Sequence, residues 1–363
     1  MWSFQIHETL SGDLVERVEP SSGSWRRAFT EPGSGSHVFE LRGDRDNVPV
    51  GQWRSMWRSM TQPWARTLVV LWSGTPVYAG LISGRKYDRK TGRLSCSHVE
   101  VRHILRRRFM FPFGEFNPGT QLHLASKGFR GLIRAVAMAG LYRPASPFWN
   151  LPVDFPADQS GSYTMTWWHY QGKTVEEMLA EIDRMTGAPH WDFVPKLVAG
   201  KLRWELVVGS PRLPGPLVEL HDVEESPASE LTVTEDGIDQ ITGALAFGQG
   251  AEADVLWAIH GQDEPLTGTP WMDIALSEKT VSDQAQLARL AKGSMDEREF
   301  IRPQYGVSIT ADDAVTPALI RPGTTIRVYT YGDEFIADGA KDLYTIAVSG
   351  DMSYTVKPEV VEV

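Results

Sequence analysis

The residues best suited to chemistry are few and poorly spaced for it. His98 and His103 lie five apart, across the junction between a strand-like run and a basic segment. A zinc peptidase needs two histidines one helical turn apart with a glutamate between them, so this pair has poor ligand geometry, and His7-Glu8 stands alone. Gly33-Ser-Gly-Ser36 places serines among glycines, but in a turn between short strands rather than on a strand-to-helix elbow. Gly332-Asp-Glu-Phe-Ile-Ala-Asp-Gly339 lacks the alternating oxygen ligands of a calcium loop and reads as a polar hairpin tip. A phosphate loop is missing. Paired acids can hydrolyse glycosides when they lie a few ångströms apart in space. Glu176/Glu177 and Glu224/Glu225 read instead as the first turn of a helix and a solvated loop. The chain is therefore expected to be no enzyme, with no catalytic, cofactor or metal site.

What the sequence does offer is charge and aromatic surface. Arg106, Arg107 and Arg108 precede Phe109 and follow a strand-like run, with Trp64 and Trp72 upstream. These six residues are the candidate interface. A short basic run beside aromatics is a weak case for nucleic acid in a chain of net charge −10. Protein contact, or a helix end where cations favour the C-terminus, fits better. Charge is unevenly spread. Arg85 to Arg108 holds nine Lys and Arg against Asp88 and Glu100, whereas Glu219 to Asp239 holds eight Asp and Glu and no Lys or Arg. Opposed patches on one chain suit contact between copies or with a partner ring, and each alone is also ordinary solvated surface.

The elements around these residues are mostly strands. Trp64 to Gly84 reads as two β-runs about a turn at Ser73-Gly-Thr-Pro76, and a third run follows from Arg93, leading to a short helix with the three arginines. Phe4 to Val18 alternates about Ser11-Gly-Asp13, a hairpin signal. Trp25–Phe29 and His37–Leu41 are short strands split by Pro32-Gly-Ser-Gly-Ser36. Residues 50–62 are a short helix or a loop, with Trp53, Met56, Trp57 and Met60 on one face. Phe129, Leu132, Ile133, Val136 and Ala137 share a helical face ended by Gly140. Thr174-Val-Glu-Glu177 is a capping box opening a helix with Met178, Leu179, Ile182 and Met185 inward. Ser282 is expected to cap a helix with Leu287, Leu290, Ala291 and Met295 inward. Strands recur at 217–247, among them Gln240-Ile-Thr-Gly243, and at Thr325–Tyr329, Leu343–Val348 and Tyr354–Val356.

The 363 residues and 42% hydrophobic content allow two to four domains. Cys96 is the only cysteine, so no disulfide framework exists, and it reads as a buried strand residue. The N-terminus has no signal peptide pattern, and no apolar run approaches the roughly 18 residues of a membrane span. A faint internal echo relates Thr67-Leu-Val-Val-Leu71 and Leu81-Ile-Ser-Gly84 to Thr325-Ile-Arg-Val-Tyr329 and Ala347-Val-Ser-Gly350.

The Trp64–Phe109 stretch, with Leu319-Ile-Arg-Pro-Gly-Thr-Thr-Ile-Arg-Val328 and Leu343–Gly350, resembles the baseplate hub (tail-associated, minor tail) proteins of long-tailed bacteriophages, in a form like those of actinobacteriophages. The resemblance implies a mainly β fold with an α+β insertion: two tube-type β-barrel or sandwich domains plus an α+β domain. Residues 1–111 would form the first tube-type domain and 112–216 the α+β domain. Residues 217–250 and 302–363 would form the second tube-type domain, with 251–301 an inserted segment carrying a helix.

The resemblance further implies a homotrimer adapting a sixfold tail tube to a threefold tip. Its partners would be the distal tail protein ring, the tape measure protein and tail fibre or spike proteins, with DNA only passing through a lumen that the hub closes or gates. It would reside in the virion tail tip after synthesis in the host cytoplasm. Ending at Val363, the chain is expected to lack the fused peptidase or lysozyme domain of some relatives. The alternatives are a distal tail ring or other baseplate protein, and a cell-wall hydrolase or carbohydrate-binding β protein.

Overall fold

The computed structural model describes residues 1–41, 50–144, 146–221, 228–262, 268–279, 281–301, 303–311 and 314–363; Glu224 and Glu225 lie outside these. The chain divides into two compact units, Met1–Thr232 with Tyr305–Val363, and Val233–Gln304.

The first half of the larger unit holds β1 (Trp2–Glu8), β2 (Leu14–Val18), β3 (Ser22–Ala28), β4 (Ser34–Glu40), helix α1 (Val50–Met60), β5 (Arg66–Trp72), β6 (Thr75–Asp88) and β7 (Arg93–Glu100). An α+β part follows with β8 (Gln121–Lys127), α2 (Phe129–Leu141), β9 (Val153–Asp154), β10 (Tyr163–Trp168), α3 (Val175–Asp183), β11 (Trp191–Val198) and β12 (Lys201–Val208). The chain then forms β13 (Leu217–His221) and β14 (Ala228–Thr234). It builds the smaller unit from β15 (Gly243–Phe247), β16 (Trp257–Gly261), β17 (Asp273–Ser277) and α4 (Gln284–Arg298), and returns for β18 (Gln304–Thr310), β19 (Thr325–Thr330), β20 (Gly339–Asp351) and β21 (Thr355–Glu362).

Thirteen strands join into one sheet, in the order β14-β18-β21-β20-β3-β4-β7-β6-β5-β1-β2, with β13 against β19 and β19 against β20. Two antiparallel meanders, β5-β6-β7 and β19-β20-β21, lie in this sheet. Each has a long middle strand, 14 residues in β6 and 13 in β20, whose register with the following strand shifts at a bulge. The faint sequence echo thus falls on two similar local layouts. The halves meet on β20. Its first part pairs with β19 through Gly339–Tyr344, and its last part pairs with β3 through Ala347–Asp351.

Strand β5 does not alternate, because Thr67–Trp72 is buried throughout. A strand reads this way when both faces of the sheet are covered. Val69 and Leu71 join Ala79, Leu81, Leu132, Ile133, Val136, Val175, Leu179 and Trp204 in the main apolar cluster, where the sheet meets the α+β part. The capping box is present: Thr174 Oγ1 accepts from the Glu177 amide at 3.2 Å, and the Glu177 carboxylate accepts from the Thr174 amide at 2.7 Å.

Several expectations are corrected. Ser34-Gly-Ser36 is strand, not turn, since β4 pairs with β7 from Ser34↔Val99 onward. Gly35 is required there, as a Cβ would meet the His98 ring at 2.4 Å. Helix α2 continues through Gly140 to Leu141. Helix α4 is capped by Asp283, whose carboxylate accepts from the Ala285 amide at 2.8 Å, rather than by Ser282. Leu287, Ala291 and Met295 face inward, but Leu290 is 37% exposed, because a three-stranded sheet covers only a narrow stripe of the helix. The strand placed at Gln240 begins at Gly243. Among the described residues no helix is long and apolar enough to cross a membrane.

Candidate assembly surface

After β7 the expected short helix is present as a 3-10 helix over Val101–Arg107, with Arg108 just past its end. Val101 and Leu105 are buried in the main cluster and fix its inner face. Arg102 is buried with them. Its Nε donates to Glu176 at 2.9 Å, its Nη1 donates to the Phe29 carbonyl, and its guanidinium lies 4.1 Å over the Trp191 ring. The carboxylate first read as a possible acid is thus the partner of a buried arginine.

The three consecutive arginines have different fates, because successive residues of a tight helix point in different directions. Arg106 and Arg107 are exposed. Arg108 turns inward, donating to the carbonyls of Gly140 at 2.8 Å and Trp149 at 2.5 Å, and lying 4.8 Å over the Trp149 ring. Burial pulls its guanidinium down to about 10. Phe109 is half-buried and stacks on Phe111 at 5.6 Å. Trp72 is buried at the end of β5, edge-on to Trp2 at 4.8 Å and to Tyr354 at 5.5 Å.

Trp64 sits on the surface beside this helix. Its backbone is in the left-handed region (φ 63°), held by its amide donating to the Ile82 carbonyl at 2.7 Å. A bulky residue rarely adopts that conformation, which costs of order 1–3 kcal/mol. The result aims the indole at the 3-10 helix: His103 stacks on it at 6.1 Å and Arg107 lies 5.5 Å over it. Desolvation, then Arg107 and Arg106, hold the His103 imidazole below its ordinary range.

Trp64, Arg107 and Arg108 line one open groove of about 690 Å³. Leu10, Arg66, Ile104, Phe148 and Leu151 complete its apolar and basic walls, with Glu8 at one side. Sequence reasoning passed over Leu10 and Phe148, which are 45% and 84% exposed. Phe148 lies in a one-turn 3-10 helix, Pro147–Trp149, whose Pro-Phe-Trp run is the one local sign of an exposed aromatic turn.

Arg27, Asp192 and Glu100 form a buried charge system. Arg27 Nη2 donates to Asp192 Oδ2 at 2.5 Å, and its Nε lies 3.8 Å from Glu100. Burial, with Asp192 repelling it, pushes the Glu100 carboxyl up to about 8 against the pull of Arg27. Nearby, His37 Nδ1 meets His98 Nε2 at 2.8 Å, and His98 Nδ1 meets the Tyr78 hydroxyl at 2.9 Å. Burial pulls His37 down to about 4 and His98 to about 3. Among the described residues, no group of three or more His, Cys, Asp or Glu is placed to hold a metal ion.

No protein-family model and no curated protein matches the sequence. Among solved structures, the chain is similar to a tail protein from Neisseria meningitidis MC58, with 15% identity and a TM-score of 0.59, over 100% of this chain and 96% of that one. It is also similar to the 43 kDa tail protein of prophage MuSo2 from Shewanella oneidensis, with 10% identity and a TM-score of 0.61, over 99% and 98% of the two chains. At such low identity the likeness concerns architecture, and this mainly β chain with its α+β part has the fold of those two tail proteins.

Proposed function

We propose that the chain is a structural component of a bacteriophage-type tail, and specifically a trimeric hub at the tail tip. The observation that carries this reading is the pair of meanders, β5-β6-β7 and β19-β20-β21, in one continuous sheet. Three copies would then present six similar β modules, matching a sixfold tube above and a threefold tip below. In this reading residues 1–111, and 217–250 with 302–363, are the tube-type domains, 112–216 is the α+β domain, and 251–301 is an insertion that β15 (Gly243–Phe247) joins to complete the smaller unit. The partners are a distal tail ring, the end of a tape measure protein, and fibre or spike proteins, with DNA passing through a gated lumen. Trp64, Arg106 and Arg107 are the contact residues of the six first considered, and Arg108, Phe109 and Trp72 hold the fold. No chemistry is assigned, since Glu176 is engaged by Arg102 and Glu177 by the helix cap.

Copy number in assembled tail tips, by cryo-EM or native mass spectrometry, tests the proposal. Three copies per tip support it. Six copies would replace it with a distal tail ring protein.

A further inference from the structure

The smaller unit has one covered face and one bare face. Its sheet runs β16-β15-β17. Ala244, Ala246 and Ala258 pack on Leu287, Ala291 and Met295 of α4. Side chains alternate across a strand, so the odd-numbered neighbours point the other way. Leu245 is opposite Ile259 and Phe247 is opposite Trp257, which builds an apolar patch on the uncovered side. Trp257 is 54% exposed and Ile259 63% exposed. A sheet buries its apolar face against another layer, and a contiguous exposed patch marks an interaction site. The unit is also strongly acidic. Residues 233–304 hold thirteen Asp and Glu against five Lys and Arg, a net charge of −8 out of the chain's −10.

The groove on the larger unit has the opposite character. Leu10, Trp64 and Phe148 supply apolar wall; Arg66 pairs with Glu8 at 3.6 Å and Arg108 is turned inward, so exposed Arg107, with Arg106 beside it on the 3-10 helix, supplies, among the described residues, the unpaired positive charge of the rim. We propose that the bare Trp257–Ile259 sheet face docks into the Trp64–Arg107 groove of a second copy of this chain. Apolar surface meets apolar surface, and an acidic body meets a basic rim, which favours this orientation over pairing of like faces. The two faces differ, so the contact is head-to-tail and closes a ring when the rotation permits. The inference deepens the hub reading by naming the faces through which its copies meet.

Complementation between two variants of the full chain tests it. Trp257→Glu spoils the sheet face and leaves the groove; Arg107→Glu spoils the groove and leaves the face. Both residues are exposed, and unchanged circular dichroism and melting confirm folding. By light scattering coupled to size exclusion, wild type is expected to oligomerise and each variant to be monomeric. An equimolar mixture is expected to yield a 1:1 heterodimer through the one intact pair of faces. A mixture that stays monomeric, or a monomeric wild type, overturns the inference. So does an oligomer that survives Arg107→Glu but not Trp257→Glu, since the face then pairs with itself. The hub reading is judged separately by copy number, so three copies per tip with failed complementation retires this contact alone.

Discussion

Arg27 and Asp192 are 165 positions apart, yet Arg27 Nη2 donates to Asp192 Oδ2 at 2.5 Å with both side chains buried. The pair ties β3 of the large sheet to β11 of the α+β part. Removing Arg27 leaves the buried Asp192 and Glu100 carboxyls without their cation, and breaking such a pair typically costs about 3–5 kcal/mol. Arg27→Met is expected to destabilise the chain by about that amount, and Asp192→Ala by less, because Glu100 still faces Arg27. Arg27→Met with Asp192→Leu is expected to cost clearly less than the sum of the single changes. Urea unfolding of the four proteins checks this, and strict additivity would contradict it.

Acid stability follows from His37 and His98. Both are buried, with folded values near 4 and 3 against an ordinary 6.5. Above 6.5 both the folded and the unfolded chain hold them neutral. As pH falls below 6.5 the unfolded chain takes up protons that the folded chain refuses, so stability declines toward pH 4. Each histidine contributes a slope of up to about 1.4 kcal/mol per pH unit. His98→Gln is expected to flatten the decline between pH 6.5 and 4. Melting curves across that range measure it, and an unchanged slope would remove these histidines from the account.

The arginine triplet divides into two kinds. Arg106→Ala with Arg107→Ala is expected to change stability by no more than about 0.5 kcal/mol, as exposed substitutions usually do. The same variant is expected to lose assembly in a tail-reconstitution assay. Arg108→Ala is expected to lower stability by about 1–3 kcal/mol, because the carbonyls of Gly140 and Trp149 lose their charged donor. Equal stability losses from both variants would argue against the division.

Helix α3 carries Glu176, which anchors Arg102 and with it the 3-10 helix. Thr174→Ala removes the hydroxyl that accepts from the Glu177 amide and is expected to cost about 1 kcal/mol. Thr174→Ser is expected to restore most of it. Thermal unfolding distinguishes the two, and equal melting temperatures for all three proteins would show the cap to be energetically idle.

Local rules were legible wherever one short stretch held all the information. Thr174 and Glu177 are three apart, so the capping box could be read directly. The Phe129–Ala137 face and the strands around Ser73–Pro76 follow from spacing alone. The rules failed where a distant element decided the outcome. Ser34–Ser36 looks like a turn because of its glycines, but β7 hydrogen-bonds it into the sheet and the His98 ring fills the space a Cβ would need. Leu290 looked inward because its spacing fits the stripe, but the sheet beneath α4 is too narrow to reach it.

The sequence by itself determined the β character, the helix faces, the capping box at Thr174–Glu177 and the segregation of charge. Each depends on residue type and on separations of a few positions. Only the tertiary structure decided which arginine of the triplet faces solvent, which carboxylate closes the Arg27 pair, and that Trp64, Arg107 and Phe148 share one groove. Those contacts join residues tens to hundreds of positions apart, and their geometry is set by how sheet and helices pack rather than by any local period.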